Sequence, residues 1–350
     1  MWEDKVRKVV PYVPGEQPKV ANLIKLNTNE NPYPPAPAVA ERLKNLNPDD
    51  FRKYPDPTCS KLVDAIAKFY HVDSDNVFTG VGSDDVLATA FLTFFNGKDP
   101  VLFPDITYSF YDVWADVYRI PYKTIPLNEK FEVVKEDYYV KNGGIVLANP
   151  NAPTGVNLPL EDVEDIIKKN PDVVVIIDEA YADFGGESAL PLIDKYENLL
   201  VVSTFSKSRS MAGMRIGYAF GSKKLIKYLN DVKFSINSYT MNIPTLELGC
   251  LAVEDKEYFE ETVSKVIKTR EWTKKELTKL GFTFGDSKTN FIFARHESIP
   301  RDVIFKSLRE KNILVRAFNG ERIKDYLRIS IGTDEEMRCV IEALKEIVGD

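Results

Sequence analysis

Three uninterrupted apolar runs, those opening "GIVLANP", "VVVIIDEA" and "LLVVSTFS", narrow the folds open to this chain more than any other feature. Each has the length of a strand, is rich in valine, isoleucine and leucine, and leaves no polar position for a solvent face. Such strands are buried on both faces, which calls for a mostly parallel sheet covered by helices on either side. The neighbouring chain supplies the rest. "NVFTGVG", "PVLFP" and "YKTIPL" read as further short strands, and "SDDVLATAFLTFF" and "LEDVEDIIKK" as helices that complete a βαβ rhythm. Ser83 is expected to cap the first of these helices, with Asp84 and Asp85 in its first turn. Thr58 is expected to cap an earlier one over about 58–70.

The pattern changes near Pro244. A long charged helical region ("YFEETVSKVIKTREWTKKELTKL") ends at Gly281, and "TNFIFAR", "ILVRAF" and "YLRISIG" then read as strands around the helix "RDVIFKSLREKN". A capping box, Thr333 to Glu336, opens the last helix. Residues 1–35 are irregular and proline-rich, and cannot build a core of their own. The organisation expected is an N-terminal arm over 1–30, a large α/β domain over 31–245 and a smaller α+β domain over 246–350.

With 350 residues, 44% hydrophobic and 28% charged, the chain has the composition of a globular protein. A net charge of −7 argues against nucleic acid or an anionic membrane as partner. Basic stretches such as "SKKLIKY" read as solvated helix faces. No apolar run reaches the length of a membrane span, and the first residues lack the apolar core of a signal peptide. Three scattered cysteines and two histidines offer neither a disulfide framework nor a metal site. No metal is expected, and a reducing cytoplasm is the expected location.

In an open α/β sheet, ligands bind beyond the carboxyl ends of the strands. Three strand ends here carry unusual residues. One runs into Asp178, with Glu179 and Tyr181 following. A second runs into Asn151 and the turn "APTG", and the third into Lys207 between Thr204, Ser206 and Arg215. Singly, each has an ordinary explanation: a helix cap, a turn, a surface lysine. Together they suit pyridoxal phosphate. A lysine amine forms a Schiff base with the cofactor aldehyde, and a buried carboxylate keeps the ring nitrogen protonated so that the ring can accept electrons. Helix N-terminal amides, hydroxyls and an arginine hold the phosphate, and "GVGSDD" offers a glycine turn at a helix start.

On these motifs, with "SKSRSMAGMRIGY", "IIDEAYADF", "NPNAPTG" and "PDITYSFY", the chain resembles the fold-type I, aspartate-aminotransferase-like pyridoxal phosphate enzymes. "VPYVPGEQP", "KLNTNENPYPP" and "FRKYPDP" resemble the histidinol-phosphate aminotransferases within that class. The resemblance spans nearly the whole chain. It implies a large domain with a mostly parallel seven-stranded sheet, a smaller C-terminal domain, and transamination between L-histidinol phosphate and 2-oxoglutarate. Lys207 would be the Schiff-base lysine and the proton shuttle, Asp178 the partner of the pyridine nitrogen, Tyr181 that of the ring oxygen, and Tyr108 the residue stacked on the ring. Gly82, Ser83 and Asp84 would meet the phosphate through backbone amides, with Thr204, Ser206 and Arg215. Tyr54 would reach the site of a neighbouring subunit, implying a homodimer. Arg328 and Arg316 would hold the substrate anion, and Tyr12, Asn29, Glu30 and Asn31 would close over it. Arg209, two residues past the lysine, reads as peripheral.

One position departs from the family pattern. Ala152 stands immediately before Pro-Thr-Gly, where the family commonly has an asparagine directed at the ring oxygen. Either Asn151 substitutes from one residue earlier, or Tyr181 serves that oxygen alone. Rival readings with the same architecture are an aromatic amino-acid aminotransferase and a threonine-phosphate decarboxylase. A non-catalytic regulator that senses the cofactor would need a DNA-binding segment, for which an acidic chain whose arm begins near Met1 leaves little room.

Overall fold

A computed structural model describes residues 1–349. The elements in chain order are β1 (Ile24–Lys25), α1 (Pro37–Lys44), α2 (Ser60–Tyr70), β2 (Val77–Gly80), α3 (Ser83–Phe94), β3 (Val101–Pro104), α4 (Tyr111–Tyr118), β4 (Tyr122–Ile125), β5 (Gly144–Ala148), α5 (Leu160–Lys169), β6 (Val175–Asp178), β7 (Leu199–Thr204), β8 (Gly217–Gly221) and α6 (Lys223–Ile236). There follow α7 (Ile243–Glu254), α8 (Lys256–Lys279), β9 (Phe282–Phe284), β10 (Phe291–His296), α9 (Arg301–Glu310), β11 (Ile313–Leu314), β12 (Arg316–Ala317), β13 (Leu327–Ser330) and α10 (Asp334–Val348).

The large sheet has seven strands in the order β2-β8-β7-β6-β5-β3-β4. All run parallel except β8, which is antiparallel to both its neighbours. All but the edge strand β4 are buried on both sides, as the unbroken apolar runs require. Ile145 and Leu147 face a core shared with α1, α2, α5 and α7, while Val146 faces the opposite core against α3, α4 and α6. The carboxyl ends of β2, β5, β6 and β7, together with the start of β8, therefore share one rim.

β8 was not evident among the strand signals, because glycines bracket its apolar residues. Gly217 is required by close approach: a Cβ there would lie 2.2 Å from the carbonyl carbon of Gly82. The strand thus passes hard against the turn that opens α3.

The smaller unit is a four-stranded antiparallel sheet, β12-β13-β10-β9, packed by α8, α9 and α10. Its core takes in Leu26 of the arm, and β1 pairs in parallel with β11. The two cores divide later than residue 245. Leu248, Ala252 and Val253 of α7 lie in the core of the large sheet, whereas Val263 and Val266 of α8 lie in the smaller one. The periodicity of α7 reveals an apolar face but not which core receives it.

Two expected caps are also placed differently. Gly82, at φ +83°, is the N-cap of α3, and Ser83 is its first helical residue. At α2 the N-cap is Cys59 in the left-handed region, and Thr58 does not cap. Asp56 serves this turn: its carboxylate accepts from the amides of Thr58 and Ser60 at 2.9 and 2.7 Å and from both hydroxyls. Desolvation opposes its charge, but these bonds from Ser60 and Thr58 hold its carboxyl well below the usual range. Asp56→Ala is expected to cost about 1 kcal/mol in urea denaturation at neutral pH. The deficit should persist above about pH 4 and shrink below it, where the unfolded chain takes up a proton that the folded carboxylate still resists. The Thr333–Glu336 capping box forms as expected. Among the described residues, no helix is long and apolar enough to cross a membrane.

Candidate active site

One cavity opens at the shared rim. Asp178 and Tyr181 line it from the end of β6, Thr204, Ser206 and Lys207 from the end of β7, and Arg215 from the residues leading into β8. Ser83 and Asp84 enter from α3, and Tyr108 from the loop before α4.

At one end of the cavity stand polar donors. Thr204 Oγ1 lies 3.0 Å from Ser206 Oγ, whose hydroxyl also accepts from Arg215 Nη1 at 3.4 Å. The amides of the first turn of α3 have no side-chain cap. A Cβ on Gly82 would lie 2.4 Å from Arg215 Nη2, so only glycine leaves this cradle open. Arg215 Nη2 also pairs with Asp84 at 3.2 Å, and the other Asp84 oxygen accepts from the Tyr108 hydroxyl at 2.7 Å. Burial and the charge of Asp84 hold the Tyr108 phenol protonated far above its ordinary range.

At the other end lies Asp178, only 5% exposed. Its partners are the Tyr111 hydroxyl at 2.9 Å and the Ala180 amide at 3.2 Å, both neutral. Burial pushes its carboxyl up to about 6, although these two hydrogen bonds pull the other way. A buried carboxylate with neutral partners favours a cation beside it. Hydroxyls, a guanidinium and helix amides at one end, a carboxylate at the other and a primary amine between the strand ends form a donor set that fits pyridoxal phosphate. Tyr111 was missed in the sequence; it follows Tyr108 by three residues in "TYSFY", but nothing local says that its hydroxyl meets β6.

Lys207 is half-buried, with Nζ 3.2 Å from the Thr28 carbonyl and 5.7 Å from the centroid of the Tyr181 ring. Asn31 Nδ2 holds the Lys207 carbonyl at 3.0 Å. Asn29 Nδ2 donates to the Tyr181 hydroxyl at 2.9 Å. Glu30 pairs with Lys25. Tyr12 stacks on Phe110 at 4.2 Å.

Arg328 and Arg316 are directly paired across β12 and β13. Arg328 lies between Phe291 and Phe318, 5.3 and 5.5 Å from their ring centroids, and donates to the Asn27 carbonyl at 3.1 Å. Burial weakens its hold on its proton, while Tyr181 and Tyr12 act in the opposite sense. Arg316 reaches the Val13 carbonyl at 3.4 Å.

Three positions fall elsewhere. Asn151 does not line the cavity: its amide nitrogen donates to the Ile106 carbonyl and Thr154 hydroxyl, both at 2.9 Å, and its oxygen accepts from Thr107. Ala152 faces the cavity instead. Tyr54, 81% exposed, lies against Tyr239 away from the rim. Arg209 is neither at the site nor on the surface, being clamped between Phe69 and Phe259 at 4.4 and 4.2 Å.

A strand-end lysine, a buried carboxylate and a phosphate-type cradle on a seven-stranded α/β sheet define a pyridoxal-phosphate type of site. Residues 21–344 match the family model described as aminotransferase class I and II, and the chain belongs to that family. It is 50% identical over 345 residues to a histidinol-phosphate aminotransferase of Lactococcus lactis subsp. cremoris (strain MG1363), covering 99% of this chain and 97% of that protein. It is 51% identical to the histidinol-phosphate aminotransferase of Clostridium botulinum (strain Okra / Type B1), covering 99% and 98%. A crystal structure of histidinol-phosphate aminotransferase from Sinorhizobium meliloti, in complex with pyridoxal-5'-phosphate, superposes with a TM-score of 0.84 at 23% identity over 93% of this chain and 91% of that one. At that identity the likeness establishes the fold.

Proposed function

We propose that this aminotransferase exchanges an amino group between L-histidinol phosphate and 2-oxoglutarate, giving imidazole-acetol phosphate and L-glutamate in histidine biosynthesis. The observation that carries this reading is the identity of about one residue in two, over nearly both full lengths, with curated histidinol-phosphate aminotransferases.

Pyridoxal phosphate, when bound, supplies an aldehyde that takes up the amino group and a ring that withdraws electrons from the substrate Cα. Lys207 would hold it through that aldehyde and, once released, carry a proton to and from Cα. Asp178 would keep the ring nitrogen protonated, Tyr181 would donate to the ring oxygen, and Tyr108 would cover a ring face. Gly82, Ser83 and Asp84 (through backbone amides), Thr204, Ser206 and Arg215 would receive the phosphate. Arg215 has five N–H donors, so one can keep Asp84 while others turn to the anion. Asn151 has no part in this set.

Arg328 and Arg316 would hold the substrate's far end. That end is a phosphate in one substrate and a carboxylate in the other, and a guanidinium fork accepts both. Tyr12 and Glu30 in the arm would cover it. The exposure of Tyr54 supports a homodimer in which this tyrosine reaches the other copy's phosphate. Three free cysteines support a cytoplasmic location.

Absorbance spectroscopy tests the reading. The cofactor-loaded protein is expected to show a visible band that L-histidinol phosphate converts to a near-ultraviolet one and 2-oxoglutarate restores. A band that responds only to phenylalanine or tyrosine would move the substrate to the aromatic amino acids. Release of carbon dioxide from threonine phosphate would replace transamination by decarboxylation. No band after incubation with pyridoxal phosphate would remove the cofactor.

A further inference from the structure

The hydrogen bond between Asn29 and Tyr181 has a definite polarity. Ser330 Oγ accepts from the Asn29 backbone amide at 2.9 Å, so its own proton is free to reach Asn29 Oδ1 at 3.0 Å. The carboxamide nitrogen is then the atom facing Tyr181, at 2.9 Å, and it can only donate. The Tyr181 oxygen is the acceptor, and its own proton is left for a partner on the cavity side. Ala152, the neighbouring wall, offers no side-chain donor.

Asn29 is built to stay where it is. It is 1% exposed and left-handed at φ +57°, a conformation that asparagine tolerates better than most residues. Its carbonyl accepts from Asn290 Nδ2 at 2.9 Å. Ser330 lies two residues beyond Arg328 on β13, so the two side chains leave the same face of the strand. Arg328 donates to the Asn27 carbonyl and Lys207 to the Thr28 carbonyl. Three consecutive arm residues thus touch Arg328, Lys207 and Tyr181 in turn.

We propose that Asn29 is a positioning residue: it aims the Tyr181 hydroxyl proton into the cavity and, through Ser330, ties that hydroxyl to the strand carrying Arg328. Its side chain is therefore spent within the protein and does not close on the substrate. The proposal rests on the reading of Tyr181 as donor to the cofactor's ring oxygen.

The test is the pH midpoint of the visible band in the cofactor-loaded protein without substrate. A donor to the ring oxygen stabilises negative charge there, so the chromophore releases its proton at lower pH, and loss of the donor moves the midpoint up. The other charged groups around the cavity, Lys207, Arg328, Asp178, Asp84 and Arg215, are unchanged in the variants compared. Tyr181→Phe is expected to raise the midpoint by about one pH unit, the equivalent of one well-aligned hydrogen bond. Asn29→Ala should raise it by about half of that or more, and the double variant no further than Tyr181→Phe alone. Ser330→Ala should produce a smaller rise, and it carries the test should Asn29→Ala fail to fold by circular dichroism. Additive shifts in the double variant, or wild-type midpoints in both Asn29→Ala and Ser330→Ala, would overturn the proposal and leave the role of Tyr181 intact. An unmoved midpoint in Tyr181→Phe would overturn both.

Discussion

Lys207→Ala is expected to eliminate the visible band of the cofactor-loaded protein and to lower turnover by at least about four orders of magnitude. Two functions end with one side chain: the covalent hold on the cofactor aldehyde and the proton carrier at substrate Cα. The fold should survive. Lys207 is half-buried in a turn whose backbone is held independently by Asn31, and its amine contacts one carbonyl, that of Thr28. The thermal midpoint of the cofactor-free variant should therefore stay near that of the wild type. Turnover retained with a normal melting curve would assign the chemistry to another amine.

Asp178→Asn separates function from stability in opposite directions. In the loaded protein, the exchange removes the negative charge that keeps the ring nitrogen protonated, and turnover should fall by about 10²- to 10³-fold. In the cofactor-free protein it should stabilise. Burial raises the folded carboxyl to about 6 from an ordinary 3.8. Between those values the unfolded chain has released its proton while the folded one retains it, so wild-type stability falls as pH rises through this window. Above about pH 6 the loss amounts to about 3 kcal/mol at most, and asparagine, which keeps an acceptor for the Tyr111 hydroxyl, avoids it. Glu179, which burial pushes up to about 8, extends the same trend to higher pH and is untouched by the substitution. The variant should melt higher than the wild type at pH 7 without cofactor and equal to it near pH 4. An apoprotein difference of the opposite sign would mean that Asp178 is paired with a cation in the folded chain.

The parts of the site that were legible in the sequence are those carried by a strand and its own next few residues. Asp178, Lys207, Thr204 and Ser206 follow apolar runs directly, and strand direction alone places them at one rim. Arg215 was legible because only about ten residues separate it from β7 in a glycine-punctuated return. The contribution of Tyr111 was not, since its hydroxyl meets a carboxylate 67 residues further along the chain. The partners of Asn151 were not legible for a related reason. Its position in "NPNAPTG" faces the turn, but the loop around Ile106 and Thr107 takes up both ends of its carboxamide.

By itself, the sequence determined the doubly covered, mostly parallel sheet and the residues that end three of its strands. Burial on both faces leaves one pattern of side chains, and that pattern is local. The tertiary structure alone decided that β8 enters antiparallel, that α7 joins the core of the large sheet, and that Asn29 is spent on Tyr181 and Ser330. Those outcomes depend on partners as far as 301 residues away. Periodicity reports which face of an element is apolar, not what will cover it, and a carboxamide has no preferred partner until the fold brings one within 3 Å.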